Sequence, residues 1–133
     1  MPDTVYQMEY FAFYYCAKLE SITFNDRITT VEYDCFTGCS GLTSVTLGKA
    51  VNDFNGSKLE GSSCPNIREI KVSEGNKYYK DYDGVLYDYD MTTVECLPYG
   101  ISGELYIPDG VQYLGSGGLR SNPNITSVSL PSS

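Results

Sequence analysis

Three sets of side chains in this 133-residue chain have the chemistry to form a site. Five cysteines (Cys16, Cys35, Cys39, Cys64 and Cys96) are soft metal ligands, nucleophiles or disulfide partners. Asp81-x-Asp83 and Asp88-x-Asp90 carry the hard oxygens that suit calcium. Glu69 and Glu104, if brought together, are the paired carboxylates of acid–base work. What is missing bounds all three. The sequence has no histidine, which removes Ser–His and Cys–His dyads, imidazole zinc ligands and imidazole proton shuttles. It has no Cys-x-x-Cys pair, an odd cysteine count, and no glutamate at the twelfth position of a calcium loop. Neither a metal nor another cofactor is implied, and no catalytic residue is assigned.

Charge and composition narrow the class further. Nine Lys+Arg face 17 Asp+Glu, a formal charge of -8, which disfavours nucleic acid and anionic membrane surfaces as partners. At 41% hydrophobic and 14% aromatic, the chain is too apolar to be disordered. No stretch approaches the roughly 20 apolar residues of a spanning helix. Met1-Pro2-Asp3-Thr4 begins without the basic and apolar regions of a signal peptide, and both ends read as cut points in something longer.

The elements that must position these groups are repeats. Leu19-Glu20-Ser21-Ile22-Thr23-Phe24 matches Leu42-Thr43-Ser44-Val45-Thr46-Leu47, Ile67 to Val72 and Ile125 to Leu130, with a degenerate copy at Ser102 to Ile107 that lacks its first apolar residue. The last residues, Phe24, Leu47, Val72, Ile107 and Leu130, are spaced 23, 25, 35 and 23 apart. Before each of four of the copies stands an apolar pair three apart (Val5/Met8, Ile28/Val31, Val51/Phe54, Val111/Leu114). Phe13, Phe36, Leu59 or Leu119 follows, then Cys16, Cys39, Cys64 or Asn122. A unit this short cannot bury its own apolar side, so it must use its neighbours as core. The pattern predicts a β-rich solenoid of about five coils, residues 1–133 as one segment, with one parallel five-stranded sheet roughly 20 Å wide.

The unit Cys35-Phe36-Thr37-Gly38-Cys39-Ser40-Gly41-Leu42-Thr43-Ser44-Val45-Thr46-Leu47 closely resembles the BspA-like leucine-rich-repeat family. Ala12 to Leu19 and Ile107-Pro108-Asp109-Gly110-Val111 look like the same unit, and Asn76 to Tyr87 is similar to an insertion common in that family. The resemblance implies a leucine-rich-repeat solenoid at the cell surface or secreted, from host-associated bacteria or mucosal protists. It implies adhesion or protein binding, with another protein, such as a host extracellular protein, as partner. Gly115-Ser116-Gly117-Gly118, Asn122 and Ser102 depart from the family's pattern.

The register assigns each group a place. Cys16, Cys39 and Cys64 share one repeat position and should stack as a buried thiol ladder, with Cys35 and Cys96 outside it. The outward strand positions form two columns, Ser21/Ser44/Glu69/Glu104/Ser127 and Thr23/Thr46/Lys71/Tyr106/Ser129. Glu69 and Glu104 would be rung neighbours about 5 Å apart, but a flat sheet has no pocket to desolvate one of them. The long step, about residues 73–103, predicts a β-hairpin: Gly84 to Tyr87, a turn at Asp88 to Met91, and Thr92 to Leu97. From Ser73 to Gly110 eight acids face Lys77 and Lys80 alone, and seven of the 13 tyrosines fall there. Tyrosine gives large contact area at low entropy cost. The expected binding residues are therefore Glu69, Lys71, Glu104, Tyr106, Tyr82, Tyr87 and Tyr89. A carbohydrate-binding module and a structural spacer are the alternatives. Asn55-Gly56-Ser57 and Asn124-Ile125-Thr126 match the glycosylation acceptor pattern.

Overall fold

The computed structural model describes residues 2–59, 64–115 and 122–132. Leu119 and the segment Ser116-Gly117-Gly118 lie outside them. Three expected strands form where the alternation puts them: β1 (Ser21–Thr23), β2 (Ser44–Leu47) and β3 (Glu69–Val72), parallel and in register. Ser21, Ser44 and Glu69 make one rung, and Ile22, Val45 and Ile70 the next. Alternation turns Ile22, Val45 and Ile70 inward, where they join Phe24, Leu42, Leu47 and Ile67 in a continuous core. Phe36 stacks between Phe13 and Phe24, with ring centroids 5.8 and 6.2 Å away. The opposite side of the coil is held by parallel bridges Met8↔Val31 and Thr30↔Asp53.

The long step holds a three-stranded antiparallel meander, one strand more than the expected hairpin. β4 (Tyr79–Tyr82) pairs with β5 (Val85–Asp88), which pairs with β6 (Thr93–Cys96). Asp83 and Gly84 join β4 to β5 with φ of 51° and 82°, the two left-handed residues of a type I′ turn. β6 then pairs in parallel with β8 (Tyr113–Leu114), so the meander is tied to the next coil. The coil resumes by Gly100, whose N–H donates to Ile67 O of the preceding coil.

The single five-stranded sheet is corrected. β7 (Gly103–Tyr106) pairs with β9 (Ile125–Ser129), not with β3. The edge of β3 that β7 would have used is occupied by the meander. Ile70 N donates to Gly84 O at 2.9 Å, and Val72 N donates to the Asp81 carboxylate at 2.6 Å. A side-chain oxygen in place of a strand ends the ladder there. Five strands joined by four turns of coil are thus divided into sheets of three and two. The missing apolar residue of the fourth copy is also found. Ile101 bonds back to Pro98 O as Leu42 does to Cys39 O, and the β7–β9 register shifts after Gly103 (φ 84°), which pairs with Ile125 while Glu104 pairs with Ser127.

The thiol ladder is corrected at both ends. Cys39 and Cys64 are fully buried and bond to Phe13 O and Phe36 O of the preceding coil, at 3.0 and 3.5 Å. Cys16 is exposed, because no described coil stacks on that side of it. Cys96, expected outside, lies buried beside Cys64; burial pushes both thiols up to about 12. Cys35 makes its own rung one turn away, donating to Glu9 O at 3.0 Å. All five thiols are free.

Candidate protein-binding surface

Each expected binding residue is positioned by a strand. Glu69 and Lys71 stand two apart on β3 and point the same way, forming an ion pair at 3.4 Å. Glu104 and Tyr106 stand likewise on β7, both exposed, and Glu104 accepts from Ser129 Oγ at 3.1 Å. Glu69 is on a rung with Ser44, and Glu104 with Ser127. The two carboxylates are therefore not rung neighbours, and the paired-acid geometry is not made. The meander displaces one from the other.

Of the hairpin tyrosines, Tyr82 (48% exposed) and Tyr89 (44%) face solvent. Tyr87 does not. It is fully buried among Val85, Val94, Leu105 and Ile107, because alternation along β5 turns it onto the following coil. Burial pushes its phenol up to about 12, and its hydroxyl has no partner among the described residues. Tyr87 is core and is removed from the binding set. Tyr89 gains a neighbour that the sequence did not suggest: Lys80 Nζ sits 4.4 Å from its ring centroid. Beside them is an open hollow of about 390 Å³, lined by Glu74, Lys77, Lys80, Asp81 and Tyr89 among others.

The aspartates of the meander serve its backbone. Asp88 is partly buried, which works against its charge, but Thr92 Oγ and the amides of Thr92 and Thr93 donate to it at 2.6–2.8 Å. The donors prevail and hold the carboxyl below its usual range. Asp81 ends the β3 ladder, as described. Glu95 is shifted upward, first by burial and then by the nearby Asp88 charge. No group of three or more candidate metal ligands exists among the described residues.

Two features escaped sequence reasoning. Asn76 is a buried polar clamp: Nδ2 donates to Gly48 O and Val51 O at 2.9 and 3.0 Å, while Oδ1 accepts from the amides of Tyr78 and Tyr79. Asn25 repeats the clamp one end over, donating to Pro2 O and Val5 O. The signal was present: each asparagine stands three residues before a buried side chain, Tyr79 or Ile28. The second feature is an exposed aromatic turn in the first coil, Tyr10, Phe11, Tyr14 and Tyr15. These rings fall between the repeat's apolar positions, and in a solenoid such positions point outward.

Among solved structures, the fold resembles the pneumococcal vaccine antigen PcpA, with a TM-score of 0.61, 17% identity, and coverage of 86% of this chain and 34% of that one. It also resembles a leucine-rich repeat protein from Eubacterium ventriosum, with a TM-score of 0.57, 16% identity, and coverage of 91% and 44%. The chain thus spans less than half the length of either. No curated protein matches it. The model of the BspA type leucine rich repeat region matches residues 1–93 in six copies, across β1, β2 and β3 and the start of the meander. The chain belongs to the BspA-type leucine-rich-repeat family.

Proposed function

We propose that residues 1–133 are one leucine-rich-repeat segment of a cell-surface or secreted protein, and that it binds another protein without catalysing a reaction. The observation that carries this reading is the outward side of the two sheets. Ser21, Thr23, Lys71, Glu104 and Tyr106 are exposed there on rigid strands, with Tyr82 and Tyr89 on the meander. Rigid strands carrying tyrosine and mixed charge present contact area at little ordering cost. Exposed solenoid faces commonly bind proteins. Membership of the BspA-type repeat family supports a surface location. A host extracellular protein is the partner class that fits this location.

Catalysis is disfavoured because Glu69 and Glu104 belong to different sheets. Glycan binding is disfavoured because Tyr87 is buried and Lys80 lies over the Tyr89 ring. The test is capture of host extracellular proteins on the immobilised chain, compared with Tyr82→Ser/Tyr89→Ser and Glu104→Ser/Tyr106→Ser variants. Loss of the captured protein with either variant supports the reading. Identical capture by both moves the contact elsewhere, and absence of capture by any form favours a spacer.

A further inference from the structure

The turn of the first coil and the turn of the second correspond residue for residue, one repeat apart, and they differ in an instructive way. Two backbone positions in each turn are left-handed. In the second coil they hold Asp34 (φ 60°) and Gly38 (φ 78°), residue types that accept this conformation. In the first coil they hold Phe11 (φ 61°) and Tyr15 (φ 55°). Bulky aromatic side chains are costly there. Neither ring is buried: Phe11 is 54% exposed, and Tyr15, whose ring lies against Gly38 of the next coil, is 66% exposed. The strain supports an outward aromatic surface, in which Phe11 meets Tyr14 edge to face at 5.1 Å and Tyr14 meets Tyr15 at 4.5 Å.

The second coil also shows what such a ring receives. Tyr33 aligns with Tyr10, and its face carries Lys58 Nζ at 3.9 Å, with Asp53 at 3.5 Å from the same nitrogen. The position one repeat before Lys58 is Cys35, a neutral thiol, so the first coil has no lysine for Tyr10. Tyr10 is 58% exposed. The adjoining sequence is complementary in charge to a cation: Glu9 precedes Tyr10, its repeat counterpart Glu32 precedes Tyr33, and Asp34 stands at the Phe11 position one coil on.

We infer that the first-coil turn, Tyr10, Phe11, Tyr14 and Tyr15, is a docking surface for an arginine- or lysine-bearing protein segment. The partner's cation does at Tyr10 what Lys58 does at Tyr33, in an acidic stretch of the chain. This surface is separate from the strand columns and the meander, so it stands or falls independently of them. An arginine suits it best, because a guanidinium both stacks on rings and pairs with carboxylates.

The test is an NMR titration of the whole chain with a hexa-arginine peptide, with hexa-citrulline as the uncharged control. Saturable shifts of the Tyr10, Tyr14 and Tyr15 rings are expected. Affinity should fall at least tenfold in Tyr10→Ser/Tyr14→Ser and stay unchanged in Tyr113→Ser, an exposed tyrosine outside both surfaces. Tyr15→Gly, which removes a ring and relieves its backbone, should weaken binding while raising Tm; a purely structural ring would lower Tm when removed. Shifts confined to residues 74–95, equal binding of hexa-citrulline, or no saturable shift would each overturn the proposal.

Discussion

Strands β1, β2 and β3 share one sheet, whereas β7 and β9, built from the same apolar pattern, form another. The difference does not lie in the strands. It lies in what reaches the free edge of β3 first. Across the first two steps the connection is short, and the next coil arrives with its strand in register. The third step is the long one, and within it Gly84 O takes Ile70 N before β7 can. A repeat sequence specifies a strand, but neighbours compete for the edge. Cross-coil clamps occur in both regions: the thiols of Cys35, Cys39 and Cys64 and the amides of Asn25 and Asn76 in the early coils, and Asn122 and Asn124 donating to Pro98 O and Tyr99 O in the last. The β7–β9 sheet has a more open arrangement, with Val128 43% exposed.

The largest contrast should be chemical. Cys16 is expected to react with an alkylating reagent on the order of 10³-fold faster than the other four thiols, which require opening of the fold. Mass spectrometry of partly modified protein should find the label on Cys16; early label on Cys39 would mean that the first coil opens on its own. Next is the core. Ile67→Ala should cost about 2–5 kcal/mol of unfolding free energy, and Val128→Ala roughly 0.5 kcal/mol. Equal losses in denaturant titrations would remove the asymmetry between the two sheets.

The clamps come third. Asn76→Ala leaves Gly48 O and Val51 O without their donor and two amides without their acceptor, an expected loss of about 2–3 kcal/mol. Asn25→Ala should lose less, because its bonds are nearer solvent. Fourth, Gly84→Ala tests the wedge. An added methyl would lie 2.8 Å from Arg68 O at a φ of 82°, whereas at Gly103, with φ 84°, it meets nothing within 4 Å. Gly84→Ala should therefore cost about 2 kcal/mol and Gly103→Ala about 1 kcal/mol, the backbone share alone. Hydrogen exchange should quicken at Ile70 in the first variant and not in the second.

The smallest effect is the pH response of the meander. The folded carboxyl of Asp88 lies below its unfolded value, so its contribution is present above about pH 4 and is lost as pH falls through the folded value. Glu95 runs the other way: its raised folded value penalises the ionised form, a penalty that appears as pH rises past about 4. Asp88→Asn should flatten the acid limb of a Tm–pH profile, and Glu95→Gln should raise Tm near neutral pH. An unchanged profile in both would detach these carboxylates from the stability of the meander.

Much of the fold was legible because its causes are local and periodic. The alternation in Ser21 to Phe24 and in Ser44 to Leu47 placed two strands, their register and the inward side chains. The Asp-Gly at 83–84 is a legible hairpin signal, yet its glycine also reads as the start of the following strand, and that reading leaves β4 out. The site was less legible. Tyr82, Tyr89 and Tyr106 face outward as expected, but Tyr87 does not, because its side of β5 is decided by a coil that follows it in sequence. Cys16 and Cys39 have the same sequence environment and opposite burial.

By itself the sequence determined the unit: a short repeat period, a strand with one apolar side, a missing histidine, and an acidic tyrosine-rich insertion. Those properties depend on residue type and spacing along the chain. The tertiary structure decided which edges meet and which rings are covered. It divided the sheet at β3, separated Glu69 from Glu104, buried Tyr87 and Cys96, and left Phe11 and Tyr15 strained on the surface. Each of those outcomes depends on which neighbour takes a backbone hydrogen bond or a packing face. That competition is between segments outside the repeat unit and the next coil, and the period of one repeat carries no information about it.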